Sequence, residues 1–235
     1  LFQLENGKAC ILFLTILLNR PCINPIFFLL IMVLLYMKYL IIIPARKNSK
    51  RIKNKNLINF DGISLIDRSI KEALKTKYEN LIIVSSDHGK ILAKSKLYKK
   101  NNIKFLKRPK YLSLDNSSIE DLVLYLLEKE FKNHLPENII ILQPTSPLRS
   151  SNHINNCIKK YEREKLDSIF SVYKEKLFLW NNRFQSITYN YRKRQNTQIM
   201  NNYFIENGAI FIFKTDKYLK LKNKRRIFGK FNYFE

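Results

Sequence analysis

Two short stretches, Leu40-Ile-Ile-Ile-Pro44 and Asn138-Ile-Ile-Ile-Leu142, carry apolar side chains at consecutive positions instead of at every second one. A strand with one wet face alternates; an unbroken apolar run is buried on both faces, as in the centre of a parallel sheet covered by helices. The intervening segments have the other period. Leu65, Ile66, Ile70, Ala73 and Leu74 fall on one face of a helix over about 64–76. Further strands are expected at 81–84, 103–106, 168–172 and 209–213. Ser85-Ser86-Asp87 offers a cap for a helix over 88–99, Ser117 with Glu120 reads as a capping box opening a helix through Leu127, and another helix is expected over 152–164. This alternation predicts an α/β fold with a mainly parallel central sheet.

The first 36 residues do not fit the pattern. Their apolar runs, 11–18 and 26–36, are each shorter than the ~20 residues needed to span a bilayer. Joining the second run to residues 40–43 would come close, but those residues serve better as a buried strand. Residues 1–36 are therefore read as an upstream hydrophobic extension, with no membrane partner expected, and 37–235 as one domain. Within it, residues 173–204 are polar, aromatic and irregular, as an arm leaving the core. Cys10, Cys22 and Cys157 are too few and too scattered for a disulfide framework or zinc site, which points to a reducing, cytoplasmic setting. His88, His134 and His153 stand alone and are read as surface or helix-end residues.

In open parallel sheets, ligands bind beyond the carboxyl ends of the strands, and three polar clusters lie there. The loop 44–56 follows the first strand and holds Arg46, Lys47, Lys50, Arg51, Lys53 and Lys55. Such density suits a polyphosphate, although a solvated basic turn accounts for the charge alone equally well. It has no glycine and is not a Walker loop. The other clusters are Ser85-Ser86-Asp87 and Gln143-Pro-Thr-Ser-Pro-Leu-Arg149. The formal charge of +24, from 43 Lys and Arg against 19 Asp and Glu, would ordinarily suggest nucleic acid. Here Lys is abundant throughout while Gly numbers 5, so the basicity is diffuse, and no aromatic-basic RNA signature accompanies it.

Taken in order, Met37-Lys-Tyr-Leu-Ile-Ile-Ile-Pro-Ala-Arg46, Ser49-Lys50, Lys55-Asn56-Leu57, Val84-Ser-Ser-Asp87, Lys107-Arg-Pro109, Leu142-Gln-Pro-Thr-Ser-Pro-Leu-Arg149 and Glu206-Asn-Gly-Ala-Ile-Phe-Ile212 resemble the successive motifs of the N-acylneuraminate cytidylyltransferases. The phosphate loop is shared with related sugar nucleotidyltransferases; the 142–149 stretch is far more restrictive. The resemblance implies a three-layer α/β/α nucleotidyltransferase (Rossmann-like) fold with a protruding dimerisation arm, hence a homodimer. It implies transfer of CMP from CTP to a nine-carbon 2-keto acid sugar with Mg²⁺; pseudaminic or legionaminic acid would suit the same motifs. Carried over by position, Arg46, Lys50 and Lys55 are catalytic. Those three with Ser49, Asn56, Ser86 and Arg108 bind CTP, and Gln143, Thr145, Ser146, Arg194 and Asn207 form the sugar pocket.

The sequence departs from the family at Arg51 and Lys53, where glycine and proline are frequent. The family's Asp-x-Asp metal pair would lie beyond Glu235, so no metal ligand is assigned and the chain as it stands is expected to be inactive. Asp87, alone after a strand, is more readily a helix cap than a ligand. Readings of another class are a basic nucleic-acid-binding protein and an inactive membrane-anchored fragment.

Overall fold

The computed structural model describes residues 37–47, 52–98, 100 and 102–235. The expectations for residues 1–36, and for Ser49, Lys50 and Arg51, lie outside these. Among the described residues, no helix is long and apolar enough to cross a membrane.

The two unbroken apolar runs lie side by side inside the sheet. Strand β1 (Tyr39–Pro44) pairs in parallel with β4 (Asn80–Ser86) on one side and β6 (Asn138–Ile141) on the other, and residues 39–43 have no exposed surface. Outside β4 lies β5 (Ile103–Lys107), also parallel. Beyond β6 come β8 (Tyr203–Lys214), β7 (Ser168–Glu175) and β9 (Phe231–Phe234), completing the order β5-β4-β1-β6-β8-β7-β9. Strand β8 is antiparallel to both neighbours, and β7 and β9 are parallel. Six strands thus share a direction and one opposes it, which is the mainly parallel sheet expected.

The 3.6-residue stripes give the covering layers. Helix α1 (Leu65–Leu74) buries Leu65, Ile66, Ile70 and Ala73, and the Ser64 hydroxyl caps it by accepting from the Asp67 amide at 3.2 Å. With α4 (Ser151–Arg163), it shares a core with Tyr39, Ile41 and Ile43. The alternate residues Leu40 and Ile42 point to the other face and are equally buried. Helices α3 (Ile119–Lys129) and α5 (Thr215–Lys220) bury Leu122, Val123, Leu126 and Tyr218, and are joined by the Tyr218 hydroxyl donating to the Glu120 carbonyl at 3.2 Å. Each fully buried aliphatic or aromatic side chain contributes roughly 1.5–3 kcal/mol of apolar transfer.

Several boundaries differ from expectation, each for a local reason. The helix expected over 88–99 is α2 (Gly89–Leu92) followed by a 3₁₀ turn (Ala93–Lys96), and its cap is His88, whose Nδ1 accepts from the Lys90 amide. Ser85 and Ser86 are not caps because the β4 ladder continues through both of them. Asp87 is not a cap either: its Oδ1 accepts from the Lys47 amide at 2.6 Å. The capping box of α3 is Ser118 with Asp121, one residue beyond the expected pair. The Ser117 hydroxyl is engaged by the Leu112 and Leu114 carbonyls at 2.6 Å, and Glu120 pairs with Arg226 at 2.8 Å. His153 is a helix-end residue, in the first turn of α4. The arm is shorter than expected at both ends, since β7 runs on to Glu175 and β8 begins at Tyr203. A hairpin of β2 (Asn59–Phe60) and β3 (Ile63–Ser64), turned by Asp61 and Gly62 at φ 52° and 75°, and strand β9 were not anticipated.

Candidate active site

Because β1, β4, β5 and β6 are parallel, the residues that follow them gather at one edge of the sheet. Three contacts lock these loops together. The Ser86 hydroxyl donates to the Ala45 carbonyl at 2.6 Å, Asp87 holds the Lys47 amide, and the Arg108 amide donates to the Ser86 carbonyl at 2.8 Å. Asn56, buried in the 3₁₀ turn Lys55–Leu57, donates to the Arg46 carbonyl at 3.0 Å. The residues these bonds fix border a cleft of about 460 Å³, whose lining includes Arg46, Lys55, Asn56, Arg108, Gln143 and Thr145.

Three cations line that cleft: Arg46, Lys55 and Arg108. Arg46 reaches across its mouth, donating to the Leu114 carbonyl at 3.1 Å and to Asp115 at 3.4 Å. Arg108 forms part of its wall, 5% exposed, with an Nε–H that finds no partner. Burial pulls the Arg108 pKa below its ordinary value, against the attraction of Asp87 and with the repulsion of Arg46. An orphaned, buried guanidinium N–H beside a cavity is a donor awaiting an acceptor.

A second cleft of about 420 Å³ adjoins the first at Thr145, and Ser146, Arg149, His153, Ser171 and Asn207 line it. Its shape comes from an irregularity in the sheet. Phe170 pairs with Phe211 and Val172 with Glu206, so Ser171 alone faces residues 207–210. Gly208 takes up the excursion at φ 68°, and a Cβ there would lie 3.5 Å from Gln143 Nε2. The bulge therefore rests against the Gln143 amide. Asn207 Oδ1 accepts from the Ser171 hydroxyl at 2.6 Å and from the Ala209 amide at 3.0 Å.

The structure thus brings Arg46, Lys55, Asn56, Arg108, Gln143 and Thr145 to one cleft, and Thr145, Ser146 and Asn207 to the next. Two expected site residues are placed elsewhere. Ser86 is fully buried, its hydroxyl spent on Ala45 and on the His88 amide. Arg194 lies in the arm, its guanidinium 4.1 Å from the Phe178 ring centroid. Ser49 and Lys50 are outside the described residues. Asp115, Ser117 and Ile119 line the first cleft without having been foreseen. Their signal was positional, between the Arg108-Pro109 strand end and a helix start, and the capping pattern had absorbed it.

Among the described residues, no three His, Cys, Asp or Glu side chains converge as a metal site. In the first cleft the lining carboxylate is Asp115, ion-paired to Arg46. These residues do not make a dedicated Mg²⁺ site.

A cytidylyltransferase family model matches residues 40–233, nearly the whole described body. The chain belongs to the cytidylyltransferase family. It is 29% identical over 203 residues to the N-acylneuraminate cytidylyltransferase of Escherichia coli, covering 83% of this chain and 46% of that protein. It is 34% identical over 137 residues to the pseudaminic acid cytidylyltransferase of Campylobacter jejuni, 58% of each. This cytidylyltransferase spans about half the length of the curated relatives it matches. Its fold is that of the solved CMP:2-keto-3-deoxy-manno-octonic acid synthetase complexed with CTP, at a TM-score of 0.55 and 16% identity, covering 76% of this chain and 75% of that one.

Proposed function

We propose that this cytidylyltransferase transfers CMP from CTP to the anomeric hydroxyl of N-acylneuraminate, a sialic acid, releasing pyrophosphate. The observation that carries the reading is the pair of clefts meeting at Thr145: one lined by Arg46, Lys55 and Arg108, the other by Ser146, Ser171 and Asn207 among apolar side chains. Arg46 and Lys55 neutralise the triphosphate, while Arg108 donates to the cytidine. Gln143, Thr145, Ser146 and Asn207 orient the acceptor. The anomeric oxygen forms a bond to the α-phosphorus as the bond from that phosphorus to the bridging oxygen breaks. Pyrophosphate departs with the electron pair and the hydroxyl proton passes to water. There is little covalent work for the protein, and positioning with charge neutralisation supplies the catalysis.

Mg²⁺ belongs to this proposal as the usual companion of a triphosphate. So does a homodimer formed through the arm, where Trp180, Phe184 and Ile187 are exposed. Pseudaminic acid is the second acceptor reading, favoured by the similarity to the Campylobacter enzyme. The test is pyrophosphate release by the full protein from CTP, UTP or ATP, with Mg²⁺ and each sugar acid in turn. Release only with CTP and a nine-carbon acid is expected; equal turnover of the three nucleotides sinks the cytidine assignment.

A further inference from the structure

We propose that Arg149 is the positioning residue of the acceptor cleft, a single guanidinium that fixes the Gln143 loop and the 207–209 bulge to each other and to α1 so that they move as one unit. Arg149 closes the two-proline loop after β6 and is 5% exposed. Its Nη1 donates to the Gln143 carbonyl at 2.8 Å and to the Ala209 carbonyl at 2.9 Å, and its Nη2 donates to the Ser69 hydroxyl at 2.9 Å. The last two acceptors stand 60 and 80 residues away in sequence. One side chain therefore staples three elements at the point where the cleft is formed.

All three acceptors are neutral. The carboxylate that attracts Arg149 is Glu72, and its oxygens are taken by Lys75 and the Ser151 amide, each at 2.7 Å. Burial lowers the Arg149 pKa to about 10, so the residue stays charged at neutral pH. A buried guanidinium without its own carboxylate is costly, and an apolar residue would give the fold more. What an apolar residue lacks is the fork. Nη1 holds a loop carbonyl and a β8 carbonyl while Nη2 reaches the Ser69 hydroxyl on α1, a planar spread of donors that the point-like ammonium of Lys does not reproduce. The stapling matters for the chemistry because Gly208 lies beside the Gln143 amide, near enough that a Cβ there would be in van der Waals contact with it. The distance between loop and bulge sets where Gln143 points.

The inference rests on reading this cleft as the acceptor site, and the experiment separates the two. Hydrogen exchange is followed on the full protein as wild type, Arg149→Lys, Arg149→Met and Ser69→Ala. Both Arg149 variants are expected to accelerate exchange of residues 143–149 and 207–211 together, by about tenfold for the loss of one charged hydrogen bond, with β4 and β5 unchanged. Ser69→Ala, which keeps the guanidinium, should move both segments by less, and it serves if the Arg149 variants fail to fold. Acceleration of one segment alone, of the whole chain uniformly, or of neither overturns the stapling. In parallel, Arg149→Lys is expected to raise KM for N-acetylneuraminate about tenfold while KM for CTP holds. Equal changes in both constants would make Arg149 merely structural. A wild type that turns over no sugar acid refutes the proposed function, and the exchange result still decides the role of Arg149.

Discussion

Replacing Arg108 with Met should move stability and ligand binding in opposite directions. The guanidinium is buried, its Nε–H is unpaired, and burial depresses its pKa. A buried polar group left unsatisfied costs about 1–3 kcal/mol. Met preserves most of the aliphatic stem and its packing, so the ligand-free protein should gain up to that amount. For a body of this size each kcal/mol is worth roughly 2–4 °C in Tm, giving a rise of about 2–12 °C. The nucleotide reads the same change with the other sign. Losing a hydrogen bond from a charged donor costs about 1.5–3 kcal/mol, or roughly tenfold to 150-fold in Kd for CTP. Calorimetric melting with and without CTP, together with titration calorimetry, measures both. The variant should melt above the wild type when empty and lose most of the stabilisation that CTP confers. A lower Tm in the absence of CTP would mean the fold already satisfies Arg108. Undiminished CTP affinity would mean that the orphaned donor does not face the nucleotide.

Other substitutions test other parts. Arg46→Ala and Lys55→Ala should each lower kcat/KM for CTP by about tenfold to a hundredfold with Tm unchanged, since both side chains surface the cleft and not the core; unaltered kinetics would reduce the loop to a solvated turn. Gly208→Ala forces a Cβ onto a backbone at φ 68° and against the Gln143 amide, so Tm should fall by a few degrees for about 1 kcal/mol of strain, with a higher KM for the acceptor; an unchanged KM would detach the bulge from acceptor binding. Asp67 is raised by burial but lowered more by Lys94 at 2.6 Å, Ser64 and Tyr98, so its folded pKa lies below the usual 3.8. Its stabilisation is present above that usual value and is lost as pH falls through the folded one. Asp67→Asn should remove about 1–3 kcal/mol at neutral pH and flatten the acid limb of the stability curve, and denaturant melts from pH 7 down to 2 show whether it does.

How much of this was legible follows from the range of the forces involved. The unbroken Ile runs of β1 and β6 demand burial on two faces, and the stripe Leu65, Ile66, Ile70, Ala73 demands a helix beside them; both are local signals and both held. Strand β8 was half visible. Residues 209–213 are apolar enough to mark its buried end, but 203–204 fell within the irregular segment read as the arm and 205–208 were assigned no strand. Their pairing with residues 172–175 is a long-range fact with no local code. The sequence placed Arg46, Lys55 and Gln143 at strand ends, which topology alone then brings to one edge. Ser86 was assigned to the cytidine by the resemblance alone, and the structure spends its hydroxyl inside the fold. Its partner, the Ala45 carbonyl, lies 41 residues away and claims it. Arg149 was visible as a residue of the motif, yet its three partners were not, since they come from three different elements.

The antiparallel course of β8 is what gives the second cleft its shape. A seventh strand in the common direction would bring another loop to the ligand edge. Strand β8 instead runs through that edge mid-strand, and only a bulge can lift its backbone out of the ladder there. Ser171 fills the gap that the lifted residues leave, accepting from the Ile210 amide at 2.8 Å and donating to Asn207 Oδ1. Because the Ala209 amide also donates to that oxygen, the orientation of the Asn207 amide is fixed, and Nδ2 is the donor left for the cleft. Arg149 draws the Ala209 carbonyl away from the cavity in the same way. Asn207 Oδ1 and the Ala209 carbonyl are thus consumed inside the bulge, which leaves the Asn207 amide nitrogen as a donor at a wall that Glu235 also lines.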